Sequence, residues 1–216
     1  MADTTVTRLH DVMLCRCGAA VSRRDQAVRQ HSSTHVLCDS CRETEDAEVA
    51  RLTRRTLTEL VADERGYALH SRTLPKFGAS VDHLFVGPAG VYVIDLVHAP
   101  EADVVVARTG GRFVPGAEVL TVSGSRATDL VDAVTAQCAE VAAGLAAIGE
   151  GGVPVIPVLC FVEARLPRRA KNRRFGNVRL VSPVNLADEV GIEGLFDGDR
   201  RFALAMSLVS LLPSPA

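Results

Sequence analysis

The chain has 216 residues, is 47% hydrophobic and carries a formal net charge of -2. That length suits one well-buried core with a small appendage and excludes two large domains. The charge excludes whole-molecule attraction to nucleic acid, so any such contact must use a local patch.

Of the 24 basic residues only Lys76 and Lys171 are lysines, which leaves few candidates for lysine-dependent chemistry. The amino-terminal stretch lacks an apolar run of signal-peptide length, and no later one reaches the roughly 20 uninterrupted apolar residues that span a bilayer. The expectation is a cytoplasmic protein with no membrane partner. In that reducing compartment paired cysteines serve as metal ligands or redox groups more often than as disulfides.

Taken in chain order, residues 1–12 are polar and featureless and are expected to be disordered. Cysteine spacing assigns 13–42 to a small knuckle, and 43–216 forms the main domain. A helix is predicted from Thr44, with Val49, Leu52, Leu57 and Leu60 at near-helical intervals and acidic Glu45, Asp46 and Glu48 in its first turn. Tyr67 to Thr73 and Val81 to Val86 read as strands. Gly87-Pro88-Ala89-Gly90 is a turn, and Val91 to Ile94 completes a hairpin whose second arm is apolar on both faces.

Val104 to Val106 and Val119 to Val122 are predicted to extend the same sheet around a Gly110-Gly111 turn. Residues 126–148 form a helix rich in small residues, and Val155 to Val162 forms a buried central strand despite Pro157. A basic loop, a strand from Val178 to Val181 and a helix near 199–212 follow. The natural packing of this order is an α/β mixed sheet with helices on its faces.

Cys15-Arg16-Cys17 and Cys38-Asp39-Ser40-Cys41 place two close thiolate pairs about 20 residues apart, which suits one tetrahedral zinc ion with four sulfur ligands. A redox dithiol at Cys38 and Cys41 is the plainer alternative, but it leaves Cys15 and Cys17 without a purpose. The i, i+4 spacing of His31 and His35 would put both on one helix face, and they compete for the ligand list. A closed four-ligand site leaves no position for substrate, so this zinc is expected to be structural. Cys138 and Cys160 lie in apolar contexts and are expected in the core.

Asp82 and Asp95 are acids on adjacent arms of an otherwise apolar hairpin. A carboxylate there is costly unless it binds a cation, accepts hydrogen bonds or caps backbone amides. With Glu48 from the first helix they would make an oxygen-rich site for magnesium, the hard ion of phosphodiester cleavage.

The run Val81-Asp82-His83 followed by Val86-Gly87-Pro88-Ala89-Gly90-Val91-Tyr92-Val93-Ile94-Asp95 resembles the signature of the nuclease-related domain (NERD), a branch of the restriction-endonuclease-like PD-(D/E)xK nucleases. Gly124-Ser125-Arg126, Gln137, the Val153 to Val162 strand and Leu211-Leu212-Pro213 extend the resemblance over about 45–216. It implies a restriction-endonuclease-like mixed sheet flanked by helices, here preceded by a small four-cysteine zinc knuckle. It also implies a helix glutamate, an aspartate before the histidine, and a second acid followed two residues later by lysine.

Glu48, or Asp46 in another helix register, and then Asp82 and Asp95 occupy the acid positions, and Gln137 is a candidate to face them. The lysine position holds Val97. Valine can neither orient the attacking water nor offset charge on the phosphate, a loss that commonly costs roughly a hundredfold or more in rate. Lys76 and Lys171 are the available substitutes, whereas His98 alternates to the other strand face.

Arg165, Arg168, Arg169, Lys171, Arg173 and Arg174 crowd into ten residues and could neutralise several phosphates without sequence preference. No aromatic residue among them supports base stacking. The functional expectation is a protein that binds or processes nucleic acid, DNA above all, as a degenerate or weakly active magnesium-dependent nuclease. The alternative is a non-catalytic regulatory or scaffold protein that meets a protein partner through the zinc knuckle.

Overall fold

A computed structural model describes residues 12–14, 20–22, 39–75, 80–108, 117–168 and 173–214. Strands β1 (Val12–Leu14) and β2 (Ala20–Ser22) pair antiparallel and bracket the segment that holds Cys15 and Cys17. The first helix, α1, spans Asp39–Ala62. It starts five residues before the predicted Thr44, so the backbone of Cys41 lies inside it.

Strands β3 (Tyr67–Thr73), β4 (Ser80–Gly87) and β5 (Gly90–His98) form an antiparallel meander. The hairpin turn is Pro88-Ala89, as the two flanking glycines predict. At Gly90, where φ is +148°, an added Cβ would stand 2.5 Å from the Pro154 carbonyl oxygen. Only glycine therefore lets the start of the central strand approach there.

Helix α2 (Thr128–Ala147) then crosses over the sheet and returns the chain as β9 (Val155–Val162), parallel to β5. Two short strands, β10 (Arg174–Phe175) and β11 (Val178–Val181), complete a six-stranded mixed sheet in the order β10-β11-β9-β5-β4-β3. Pro157 precedes Val158, where pairing with β11 begins, so it stands where β9 has a strand neighbour on one flank only. A missing N–H is tolerated at such a position.

The predicted extension of this sheet by residues 104–122 does not occur. Strands β6 (Val104–Arg108), β7 (Glu118–Val122) and β8 (Ser125–Arg126) make a separate three-stranded sheet. The physical reason is that β9 already occupies the free flank of β5, and the chain turns away through Pro100 and Glu101, whose φ is +57°. The small sheet instead buries Val104, Leu120 and Val122 in the main core.

Two apolar layers enclose the large sheet. On one face Leu57 and Leu60 of α1 and Leu186 and Val190 of α3 (Pro183–Val190) pack on Phe85, Tyr92, Ile94, Val158 and Cys160. On the other, Val134, Cys138, Val141 and Leu145 of α2 and Leu204 and Leu208 of α4 (Gly198–Leu211) pack on Leu84, Val93, Val97, Leu159 and Phe161. Cys138 and Cys160 both lie in the core, on opposite faces. Helix α2 is long and apolar enough by composition to cross a membrane, yet its buried side here is what closes the β5–β9 crossover.

Helix α3 escapes sequence reading because eight residues give too short a period. Its start is nonetheless marked by Pro183 at the first helical turn, where the missing N–H costs nothing.

Candidate acid site

Strand β4 is interrupted at Asp82. Pairing with β3 runs through Arg72↔Val81 and His70↔His83 but omits Ser71 and Asp82, and pairing with β5 begins only at His83↔Ile94. Ser71 adopts φ +49°, a left-handed conformation unusual for a side-chain-bearing residue in a strand. The regular ladder would place Asp82 opposite Asp95, and at that point side chains replace backbone bonding.

Asp82 Oδ2 accepts a hydrogen bond from the Leu96 backbone N–H at 2.9 Å. Its carboxyl group also meets that of Asp95, and the Gln137 side chain of α2 donates to Asp95. Three oxygen-bearing side chains from β4, β5 and α2 thus converge on the α2 face of the sheet. All three are half-buried. Capping the Leu96 amide is the plain structural role of the Asp82 Oδ2 oxygen.

Burial, and then the neighbouring charge of Asp82, raise the Asp95 carboxyl to about 6, with the Gln137 bond acting in the opposite direction. Cys138, next to Gln137, is pushed up to about 12 by burial and by the Asp95 charge, so it stays a neutral thiol. Cys160, on the far face, is likewise raised to about 12 by burial.

The donor chemistry here fits a hard divalent cation. Gln137 Oε1 is buried without a hydrogen-bond partner, an arrangement that costs free energy unless something electropositive faces it. Magnesium commonly takes one or two carboxylates and keeps several waters. Asp82, Asp95 and the Gln137 amide oxygen supply that kind of set. Among the described residues no group of three or more His, Cys, Asp or Glu side chains could hold a metal ion. Waters would therefore have to complete the shell.

Glu48 stands elsewhere. It is exposed and pairs with Arg51 one turn on, its Oε2 accepting from Nε at 3.0 Å. The inward face of α1 is set by Thr53, Leu57 and Leu60, all buried. At 3.6 residues per turn Glu48 points about 140° away from Thr53. Moreover, α1 covers the face of the sheet opposite Gln137. The side chain of Asp46, the alternative in this helix, lies outside the described residues.

Val97, two residues after Asp95, is 4% exposed and part of the apolar core on the same face. His98 alternates away and meets Glu163, Nε2 to Oε2 3.2 Å. Lys76 and Lys171 lie outside the described residues, as do Cys15, Cys17, Cys38, His31 and His35 and the side chain of Cys41.

The basic loop divides by partner. Arg165 donates to Asp103, Nε to Oδ1 2.7 Å, and Arg173 Nε donates to the Pro167 carbonyl at 2.9 Å. Arg168 and Arg174 are exposed, and Arg169 and Lys171 lie outside the described residues.

Sequence reasoning overlooked His70. It lies directly across from His83, and the two Nδ1 atoms are 3.0 Å apart. The signal was present in the histidine that follows Asp82, but its partner depends on a strand register that spacing alone does not reveal. Burial, the neighbouring His70 and Arg54 lower His83 to about 3, so its ring is neutral at physiological pH.

The chain matches no protein-family model, no curated protein and no solved structure.

Proposed function

We propose that this chain binds nucleic acid on a nuclease-related scaffold that retains a magnesium site in Asp82, Asp95 and Gln137 and has lost most or all of its catalytic power through Val97. The observation that carries this reading is the meeting of the two carboxylates and the amide where β4 departs from its ladder. A structural role alone gives no reason to set two acids against each other in a half-buried position, because each raises the cost of ionising the other. A divalent cation removes that repulsion. It would polarise a phosphodiester and hold water for attack, and Asp95 would be largely ionised and available to it near neutral pH.

The sheet supports the reading too. An antiparallel hairpin that carries the acids, joined through a crossover helix to a parallel strand, is a mixed sheet flanked by helices of the kind the resemblance implies. Val97 supplies no cation where the resemblance implies a lysine, so slow turnover or none is expected from the chain as it stands.

The test is cleavage of plasmid and single-stranded DNA with magnesium or manganese by the unmodified chain and by Asp82→Ala with Asp95→Ala. Slow cleavage that the double variant abolishes identifies a weak nuclease. Cleavage that survives the double variant refutes the assignment of the site.

Nucleic-acid contact is assigned to the exposed arginines of the basic loop. Reversing Arg168 and Arg174 to glutamate is expected to weaken DNA binding by about tenfold or more at low salt and to flatten the salt slope by about one for each phosphate that is no longer neutralised. A filter-binding series across salt concentrations measures both. An unchanged slope would remove the loop from the interface.

The four cysteines 15, 17, 38 and 41 are assigned one structural zinc. Elemental analysis of the purified chain is expected to find about one zinc per molecule, lost on Cys38→Ser with Cys41→Ser. A zinc-free chain that is fully folded would overturn it.

A further inference from the structure

The acid site depends on a strand that leaves its ladder at one residue, and the opposite face of the sheet carries a contact suited to holding it there. His70 and His83 face each other across β3 and β4, with ring centroids 4.8 Å apart and planes at 88°. Their Nδ1 atoms are 3.0 Å apart, so one nitrogen must donate and the other accept.

His83 is 2% exposed, and its Nε2 has no hydrogen-bond partner. A buried N–H without an acceptor is the costlier of the two possibilities, so the proton belongs on Nδ1. There it points at His70 Nδ1 across the strand pair.

We propose that His70 and His83 are positioning residues for the acid pair: the bond between their Nδ1 atoms ties His83, and with it the adjoining Asp82 backbone, to β3 and so aims the Asp82 carboxyl group at Asp95 and the Leu96 N–H. The bond matters at this place because the β3–β4 register passes over Ser71 and Asp82, and the β4–β5 register stops short of Asp82 and Asp95. The clamp spans that break from one residue away. Strand alternation puts the two rings on the α1 side of the sheet and the acids on the α2 side, so both act through the backbone. The functional consequence rests on the magnesium reading above, whereas the effect on Asp82 does not.

The experiment replaces His70 by phenylalanine, which keeps a ring and removes the acceptor, and by asparagine, whose side-chain oxygen can stand near the position of Nδ1. His70→Ala is a third variant that introduces no bulk, should phenylalanine prevent folding. Two quantities are read in the full chain: amide hydrogen exchange at Leu96, which reports the bond to Asp82, and manganese affinity by calorimetry.

Loss of the acceptor is expected to speed Leu96 exchange at least tenfold relative to neighbouring β5 amides and to weaken manganese about 10- to 100-fold. Asparagine is expected to restore most of both. Leu96 exchange that is unchanged in the phenylalanine and alanine variants overturns the proposal, as does equal loss in the asparagine variant. A chain that binds no manganese, but whose Leu96 amide still follows His70, refutes the magnesium reading and leaves the positioning role standing. Manganese affinity that ignores His70 while Leu96 responds overturns the functional half.

Discussion

Replacing Val97 by lysine is expected to raise magnesium-dependent cleavage of plasmid DNA by about 100-fold over the unmodified chain, the size of effect associated with one well-placed electrostatic donor. Val97 follows Asp95 by two residues on the same strand face, so a lysine stem from that position extends alongside the acid pair. The cost is structural. Val97 is 4% exposed, and a longer, polar side chain must displace core atoms and bring its ammonium group out toward the carboxylates. Overpacking of this kind commonly costs about 1–3 kcal/mol. Thermal melts must therefore accompany the assay. Cleavage gained in a folded Val97→Lys chain, and lost again when Asp82 or Asp95 is removed, would identify a disabled nuclease. A folded variant that binds magnesium and remains inactive would count against a phosphodiesterase geometry and favour a scaffold that works through a protein partner.

Replacing Asp95 by asparagine is expected to stabilise the metal-free chain at neutral pH. Asp95 rises from 3.8 to about 6 on folding, chiefly through burial and then through the Asp82 charge. A raised carboxyl means that the native state holds the proton more tightly than the unfolded chain. Between about pH 4 and 6 the native state therefore binds more protons, and stability falls as pH rises through that window. By pH 7 the accumulated penalty is roughly 2–3 kcal/mol. Asparagine keeps the shape and removes the charge, so its melting temperature at pH 7 should exceed that of the unmodified chain by about 5–10 °C. Near pH 4 the two curves should converge. Magnesium should narrow the difference at neutral pH by stabilising only the chain with both acids. An Asp95→Asn chain that melts lower than the unmodified one at pH 7 would mean that the ionised carboxylate is a structural anchor and not a strained ligand. Together with the lysine variant, this distinguishes a site that has kept its metal from one that has kept only its shape.

Much of the fold was legible locally. Strands β3, β4, β5, β9 and β11 announce themselves as short apolar runs between turn residues, and the Gly87 to Gly90 turn specifies its hairpin. Asp82 and Asp95 stand out because charge is rare in such runs, and no structure is needed to see that each requires a partner. The absence of lysine after Asp95 is equally a matter of sequence. Those features depend on one residue and its near neighbours.

What the tertiary structure decided concerns pairing and facing. Whether Asp82 opposes Asp95 depends on a register that a one-residue slip would reverse, and whether Gln137 reaches them depends on the crossover that lays α2 over β5. Helical spacing could nominate Glu48 but could not show that α1 covers the other face of the sheet. Nor could apolar patterning show that residues 104–122 form their own sheet, since β9 claims the flank of β5 from far along the chain. The sequence by itself determined which residues bear charge within apolar strands. The tertiary structure alone decided which of them meet, because strand pairing and helix placement are long-range choices settled by burial of the whole core.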